Sequence, residues 1–383
     1  MGKTTRRYDI DWLRTIGVLM VIPFHSLLIF NMQPWSIVYI KDTINVRSFN
    51  ILDSIIDRFH MPLLFVIAGM SVYFSIQSRT SKQFINERVK KLLIPAIFGC
   101  IMLNPIMTYI YLISKNENST FINHFIDFFT KNPGDFVGLN GGFTPAHLWF
   151  IIFLFAFSLV GMPLFIKLSD KSSNSFISNL ASFFEKPLML ILAVVPFAIA
   201  SIVDILGDKN PLAYFVIFFI GFLLATDERY QKAINRDKWI YLLLSIILIY
   251  IRLTIGNRFE LWSGMWIIYG LMDRATKLVP VFALLGLGNS YMNKNAQVLE
   301  YLSKASFPIY VIHMLINTIV GFFVIKLTIS AELKYVIIVT ITFVLCFLLY
   351  EIIKRIKFLR FIFAIKPVAK NANGINKNNC LDI

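Results

Sequence analysis

Two long apolar stretches of the chain each contain a histidine near their middle. His25 lies in the stretch 15–32, and His313 lies in the stretch 306–326. An ionisable side chain inside a membrane-spanning helix is costly, and such residues commonly belong to binding, proton-transfer or catalytic sites. An imidazole at this depth can transfer a proton, or it can simply hydrogen-bond a neighbouring helix. The residue types alone leave both interpretations open.

The first stretch also places charged residues on the same side as His25. At about 100° per residue, the spacing of Arg14 and His25 puts them within about 20° of each other around a helix. Asp11 precedes Arg14 by one turn and lies on the same side. The predicted stripe therefore carries Asp11 and Arg14 near the membrane edge, with His25 about 16 Å deeper. Alternatively, Arg14 is only a positively charged membrane anchor.

The stretch around His313 repeats this arrangement. Tyr310 and Asn317 lie one turn away and share its face, so they are candidates to act with the imidazole. We place Pro308 in the first turn of this helix, where its missing N–H is harmless.

Two further histidines begin apolar stretches on the side opposite Arg14. His60 lies at the start of the second stretch and His147 at the start of the fourth, positions at which purely interfacial histidines are common. His124 lies in a loop and has no feature that singles it out. The histidines have no metal-ligand spacing, so we expect no metal.

A basic cluster precedes the third apolar stretch. Arg88 and Lys91 are one helical turn apart in the segment Glu87–Pro95. Such a pair at a helix start suits a phosphorylated ligand, for example the nucleotide end of coenzyme A, although it also fits a plain topology signal. In the second stretch, Ala68, Gly69 and Ser71 are small enough to let helices pack closely.

The composition is that of a membrane protein. Hydrophobic residues make up 57% of the 383 residues and charged residues only 15%, whereas a soluble domain has about a quarter charged residues. The net charge of +15 could indicate nucleic-acid binding, but Lys and Arg fall in short segments between apolar runs. That placement is typical of topology signals, and we expect no nucleic-acid partner.

The apolar runs predict an all-α fold, a polytopic transmembrane helical bundle of about ten helices. The predicted spans are 15–32, 59–78, 92–113, 147–167, 188–204, 212–226, 239–255, 263–288, 306–326 and 334–353. Asp273, Arg274 and Lys277 interrupt the run 258–288. This run is either one long helix with a polar inward face, or an interfacial piece followed by a shorter span.

The connecting segments alternate in charge along the chain, and those on the side of the N-terminus contain most of the 37 Lys and Arg residues. Positively charged loops stay in the cytoplasm, so we expect both termini to be cytoplasmic. Residues 1–360 form a single predicted domain in the lipid bilayer. Residues 361–383 form a basic cytoplasmic tail that we expect to be partly disordered.

Together these motifs resemble the acyltransferase-3 family of membrane acyltransferases, and most of all its glucan biosynthesis protein C branch, which is associated with glucan succinylation. The resemblance covers nearly the whole chain, and the motifs occur in family order. They are Asp9-Ile10-Asp11-Trp12-Leu13-Arg14 with His25, His60 to Met70, Arg88 to Pro95, His147-Leu148-Trp149-Phe150, and Ser306 to His313. Lys91 stands where an Arg is more usual, and Ala68 where a Ser is frequent.

The resemblance implies transfer of an acetyl or succinyl group from cytoplasmic acyl-CoA to a hydroxyl of an extracytoplasmic polysaccharide or glucan. Acyl-CoA would be a substrate, and no tightly bound cofactor is expected. The protein would lie in the bacterial cytoplasmic membrane.

The implied roles follow the motifs. Arg14, Arg88 and Lys91 would bind the phosphates of coenzyme A. His25 would be the base, Asp11 would orient Arg14, and His313 with Tyr310 would polarise the carbonyl or position the acceptor. The substrate-binding residues at the external mouth would be His60, His147 and Trp149.

Two functions of other classes fit the same residues. A lipid or saccharide transporter or flippase would use mid-membrane His and Arg as a proton relay, and inverted repeats or broken helix pairs would favour it. A structural partner in a polysaccharide assembly complex would tolerate replacement of its histidines.

Overall fold

The computed structural model describes residues 6–31, 39–117, 119–131, 142–169, 174–203, 205–206, 209–255 and 263–365. Within these ranges every regular element is a helix, so the predicted all-α class is confirmed. Most of the predicted tail 361–383 lies outside the described residues.

The helices follow one another with short connections. The first half contains α1 (Tyr8–Leu19), α2 (Val21–Leu28), α3 (Arg47–Ser78), α4 (Ser81–Arg88), α5 (Ile94–Phe98), α6 (Asn104–Ser114), α7 (Phe121–Thr130), α8 (Trp149–Val160) and α9 (Met162–Ser169). The second half contains α10 (Asn174–Phe184), α11 (Val194–Ala200), α12 (Pro211–Thr226), α13 (Glu228–Ile255), α14 (Gly264–Tyr291), α15 (Gln297–Val324), α16 (Ala331–Ile353) and α17 (Lys357–Ile362). Two π-helical turns, Val89–Leu93 and Gly99–Leu103, flank α5, and a 3₁₀ turn, Ala146–Leu148, precedes α8.

Many of these helices are long and apolar enough to cross a membrane. Six segments of the described residues meet that criterion, and up to eight do if each of two bent helix pairs is one span. The chain is therefore a multi-pass membrane protein. The predicted count of about ten is not confirmed, because α12 has only 16 residues and α14, which carries Asp273, Arg274 and Lys277, is not among the qualifying helices.

Two prolines affect the helices that carry His25 and His313. The first span breaks at Met20 into α1 and α2, because Pro23 has no N–H to bond the carbonyl of Leu19. Pro308 was expected in a first turn, but α15 already begins at Gln297. It therefore lies in the helix interior, and the carbonyl of Lys304 loses its regular helical partner.

The described part of the charged run in the eighth predicted span forms a single helix. α14 continues without a break from Gly264 to Tyr291, and Asp273 is buried. Its first turn is capped by the Ser263 hydroxyl, which accepts from the Trp266 N–H at 3.1 Å. Residues 258–262 of the run lie outside the described residues.

We name one end of the bundle the amino-terminal end, because the described chain starts there, and the other the opposite end. The Nε2 of His60 contacts the Gly17 carbonyl, while Asn31 donates to Asp53 further along, so α3 runs antiparallel to α1 and α2. The amino-terminal end therefore contains the start of α1 and the end of α3. At the opposite end, a buried ion pair of 2.7 Å between Lys334 and Asp42 ties α16 to the segment before α3.

The helices α3 and α12 pack closely against each other. A Cβ at Gly69 would overlap the carbonyl oxygen of Phe218, and a Cβ at Gly221 would overlap that of Val66. Small residues let helix backbones approach in this way, so the close packing predicted from Gly69 is observed. This contact fixes α3, which carries His60, against α12.

Replacing Gly221 with Ala is expected to lower the thermal unfolding temperature of the detergent-purified protein, because overpacking a filled contact costs about 1–3 kcal/mol. Gly270→Ala is the matched control, since its added Cβ would meet nothing within 4 Å and Ala favours a helix by about 1 kcal/mol. An unfolding temperature of Gly221→Ala at or above that of the wild type would contradict the packing.

Candidate active site

Three histidines from distant parts of the chain meet inside the bundle. The ring centroids of His25 and His313 are 5.3 Å apart, and those of His147 and His313 are 4.9 Å apart. They are carried by α2, by α15 and by the 3₁₀ turn before α8. We call these three residues the histidine cluster. The sequence predicted His25 and His313 as mid-span residues, but not that His147 joins them.

The hydrogen bonds of two of these rings define which nitrogen carries the proton. The Nδ1 of His313 lies 2.6 Å from the carbonyl oxygen of Tyr310, and the Nε2 of His147 lies 3.0 Å from that of Val311. A carbonyl only accepts, so these nitrogens are the donors. The Nε2 of His313 and the Nδ1 of His147 are then proton acceptors in the neutral rings.

These acceptor nitrogens have no protein partner. Nε2 of His313, Nδ1 of His147 and also Nδ1 of His25 are buried, and none of them has a hydrogen-bond partner among the described residues. A buried polar atom without a partner is unfavourable, and at an active site it marks a position that substrate or water fills. The cluster can therefore accept a proton from a bound hydroxyl group.

The turn that carries His147 is held under strain. Ala146 has a left-handed backbone with φ of 46°, a conformation that costs a residue with a side chain about 1–3 kcal/mol. The Thr144 hydroxyl accepts from the Ala146 N–H at 3.0 Å, and the Asn104 amide donates to the Thr144 carbonyl at 2.7 Å. These bonds offset the strain and direct His147 inward.

Tyr310 supports the same turn. Its hydroxyl donates to the backbone carbonyl of His147, and its ring packs 5.7 Å from the His147 ring and 5.8 Å from the His313 ring. The hydroxyl proton is thus already used within the protein. Tyr310 positions the cluster, a role that the sequence did not predict.

His60 and His147 do not line an open mouth as expected. His60 is buried, lies well inside α3 rather than at its start, and contacts the Gly17 carbonyl at 2.6 Å. The expectation placed it at a helix start because the apolar run begins there, but the helix extends back to Arg47 through polar residues. His147 does begin a helical segment, but it is buried within the cluster.

Trp149 lies in an aromatic layer next to the cluster. Its ring packs 5.2 Å from Tyr214 and 5.9 Å from Phe65, and it is half-buried. The Lys209 ammonium lies 5.9 Å from the Trp149 ring. Lys209 was missed by the sequence analysis, because a single lysine in a short loop resembles a topology signal.

Arg14 is held by partners at the amino-terminal end. Its Nη2 lies 2.9 Å from an Asp11 carboxylate oxygen and donates to the Ser303 hydroxyl at 3.1 Å. Arg6, which the sequence analysis did not single out, contacts the other Asp11 oxygen at 2.9 Å. Ser303 and His313 both belong to α15, so Arg14 and His25 face the same helix.

The two members of the basic cluster near α4, Arg88 and Lys91, differ in their contacts. Lys91 pairs with Glu87 at 2.7 Å, whereas the Nε and Nη2 atoms of Arg88 are buried without a hydrogen-bond partner among the described residues. The Arg88 guanidinium lies 4.8 Å from the Phe84 ring. Phe84 also lines a cavity of about 300 Å³ with Ile76, Arg79, Thr80, Ser81, Met162 and Ile166.

The structure thus groups the predicted site residues into three places. His25, His147, His313 and Tyr310 are together, with His60 and Trp149 nearby. Arg14 and Asp11 form one basic network at the amino-terminal end, and Arg88 and Lys91 form another. No hydrogen bond or ion pair between described residues joins these two networks. No group of His, Cys, Asp or Glu in the described ranges has a metal-holding arrangement.

Comparison with known proteins decides the family. The sequence profile of the acyltransferase-3 family, an acyltransferase domain, matches residues 7–351. The chain belongs to this family. It is therefore a membrane acyltransferase, and the resemblance recognised from the motifs is confirmed.

The curated relatives of this acyltransferase point to one branch. Glucans biosynthesis protein C of Escherichia coli strain SMS-3-5 is 22% identical over 386 aligned residues, covering 96% of this chain and 97% of the relative. The proteins of the same name from strains K12 and O157:H7 match with the same identity and coverage. No solved structure matches the chain significantly.

Replacing Tyr310 with Phe is expected to slow acyl transfer, because the His147 carbonyl loses its donor and the turn is released. The lost buried hydrogen bond should also cost about 1–3 kcal/mol of stability. Tyr109→Phe is the control, since the Tyr109 hydroxyl also donates to a backbone carbonyl, that of Ser119 at 3.2 Å, away from the cluster. Equal transfer rates in the two variants would contradict the positioning role.

Proposed function

We propose that this acyltransferase moves an acyl group, acetyl or succinyl, from acyl-CoA to a hydroxyl of an extracytoplasmic glycan. The observation that carries the proposal is the histidine cluster, with its unpartnered, proton-accepting nitrogens in the middle of an apolar bundle. The alternative of a transporter or flippase is less consistent with membership of an acyltransferase family. The name of the Escherichia coli relatives favours a glucan as the acceptor.

The proposed topology has ten spans. α12 and α14 would cross the membrane in addition to the six long segments and the two bent pairs. Both termini would then be cytoplasmic, in agreement with the distribution of Lys and Arg. In this orientation the amino-terminal end faces the cytoplasm of a bacterium, and the opposite end faces the glycan.

Coenzyme A would bind at the amino-terminal end. Arg88 supports this, because two buried nitrogens of its guanidinium, Nε and Nη2, have no hydrogen-bond partner among the described residues and could donate to phosphate oxygens. The cavity beside Phe84 offers room for part of the nucleotide. Arg14, oriented by Asp11, and Lys91 would bind further phosphate oxygens. The thioester would then extend toward His25, about 16 Å deeper than Arg14.

The chemistry requires a base and correct positioning, since a thioester is already activated. His25 removes the proton from the acceptor hydroxyl, and the oxygen attacks the thioester carbonyl carbon. The carbon–sulfur bond breaks, and the sulfur leaves as the thiol of coenzyme A with the proton from His25. Neutral His313 has no free N–H for the carbonyl, so it suits the acceptor hydroxyl. Lys209 and Trp149 would lie at the acceptor side.

A covalent acyl-His25 intermediate would let the two substrates bind in turn. Intact-protein mass measurement after incubation with acyl-CoA alone separates this route from direct transfer. A stable mass increase that is absent in His25→Ala indicates the relay.

His25→Ala is expected to abolish glycan acylation. Mass spectrometry of periplasmic and surface glycans from cells that express the wild type should detect an alkali-labile ester, which is absent with the variant at equal protein level. His124→Ala is the matched control, because His124 lies outside the cluster and bonds Thr108 and the Pro105 carbonyl. An unchanged ester in His25→Ala cells would contradict the base assignment.

Arg88→Ala is expected to weaken binding of coenzyme A by about tenfold or more, because a charge-assisted hydrogen bond to phosphate is lost. Binding can be measured by calorimetry on the purified protein. The control is Lys90→Ala, which removes an exposed charge two residues away. If both variants bind coenzyme A like the wild type, the donor site lies elsewhere.

A further inference from the structure

The charged run of α14 has no role in the proposed reaction. Asp273 is buried there and receives three guanidinium groups. The Nη1 of Arg58 from α3 is 3.1 Å away, and the Nε of Arg252 from α13 is 2.7 Å away. The neighbouring Arg274 also pairs with this carboxylate. One carboxylate thus collects arginines from three helices at the opposite end of the bundle from Arg14.

Positive charge exceeds negative charge at this position. Lys277, one turn beyond Asp273, has no carboxylate within ion-pair distance among the described residues. Asp57 contacts Arg58 at 3.3 Å, but its side chain is 48% exposed whereas that of Arg58 is only 18% exposed. Together with Asp57, these residues form what we call the Asp273 cluster, which contains Arg58, Arg252, Arg274, Lys277, Asp57 and Asp273.

The neighbouring acidic residue does not restore neutrality. Asp53 lies one turn before Asp57 on α3, but its carboxylate accepts from the Asn31 amide and the Ser54 hydroxyl. Even if its charge is included, four cations face three carboxylates among the residues that the structure describes. Partly desolvated cations that outnumber their counter-ions repel one another, which is unfavourable. The cluster therefore favours binding of an anion.

A small cavity of about 60 Å³ opens at the cluster. It is lined by Ser54, Arg58, Ile249, Arg252 and Leu253. Guanidiniums from two neighbouring helices suit the oxygens of a phosphate or carboxylate, which they bind in a fork geometry. The size fits a single anionic group rather than a sugar chain.

The surroundings of the cavity are apolar and face outward. Little of α13 is buried, since only 11% of its most apolar 18-residue stretch lies inside the bundle. Leu243, Ile246, Ile247 and Tyr250 are exposed large side chains on this helix. Side chains of this kind on a membrane helix are covered by acyl chains of lipids. The cavity thus combines cations with a lipid-facing wall.

We propose that the groove between α3 and α13 binds the phosphate of a lipid, with the guanidiniums of Arg58 and Arg252 on the phosphate and Ile249 and Leu253 against the lipid chain. Lys277 adds to the positive field at this site. A bilayer phospholipid and a phosphorylated carrier lipid share this chemistry. The site lies at the opposite end from the proposed coenzyme A site, and it does not depend on acyl transfer.

The test is native mass spectrometry of the full-length protein, titrated with phosphatidylglycerol, a long-chain polyprenyl phosphate, zwitterionic phosphatidylcholine or soluble glucose 1-phosphate. We expect the wild type to bind one molecule of an anionic lipid in preference to phosphatidylcholine. Arg252→Gln and Lys277→Gln should bind it about tenfold more weakly. Tighter binding of phosphatidylglycerol identifies a phospholipid site, and tighter binding of the polyprenyl phosphate identifies a carrier-lipid site.

One control variant and one test variant outside the ion pairs keep the result specific. Arg47→Gln removes an exposed arginine at the start of α3, at the same end of the bundle, and should bind lipid like the wild type. Lys277→Gln breaks no ion pair, so it tests the charge without disturbing Asp273, and size-exclusion chromatography confirms that each variant is intact. Equal lipid binding by wild type, Arg252→Gln and Lys277→Gln, or preference for glucose 1-phosphate over lipid, would overturn the proposal.

Discussion

The histidine cluster depends on three hydrogen bonds, two between the 146–148 turn and α15 and one within α15. His147 donates to the Val311 carbonyl, Tyr310 donates to the His147 carbonyl, and His313 donates to the Tyr310 carbonyl. In an apolar interior each such bond is needed, because no water is available to replace it. Together these bonds satisfy the carbonyls of Val311, His147 and Tyr310. They leave Nδ1 of His147 and Nε2 of His313 available to accept a hydrogen bond.

Much of the site could be predicted from residue types, because an ionisable residue stands out in an apolar helix. His25, His313 and Arg14 were identified in this way, and the structure directs Arg14 and His25 toward the same helix. His147 could not be assigned to the cluster, since a 3₁₀ turn after a long loop gives no periodicity from which to judge its direction. Lys209 gave no signal, because a single lysine in a short loop resembles a topology signal.

The fold was predictable at the level of apolar runs but not at their ends. Helices such as α3 and α15 extend well beyond the apolar run into polar residues, which moved His60 and Pro308 from expected helix starts into helix interiors. The number of spans could not be predicted from the apolar runs alone, for a related reason. The short α12 and the charged α14 are held by packing and by the arginines around Asp273, which depend on contacts between distant segments.

The two π-helical turns in the third apolar segment have a geometric consequence. A π turn closes a hydrogen bond from residue i to i+5 and holds one residue more than an α turn, so each one rotates the following side chains by about 100° relative to a regular helix. Leu92 is buried within the first π turn, Ala96 and Cys100 are buried beyond it, and Arg88 precedes it. Deleting one residue between positions 89 and 93 would therefore straighten the helix and turn the Arg88 guanidinium away from its present direction. The extra residue of the π turn, and not the chemistry of the side chains, sets the direction in which this segment presents its side chains.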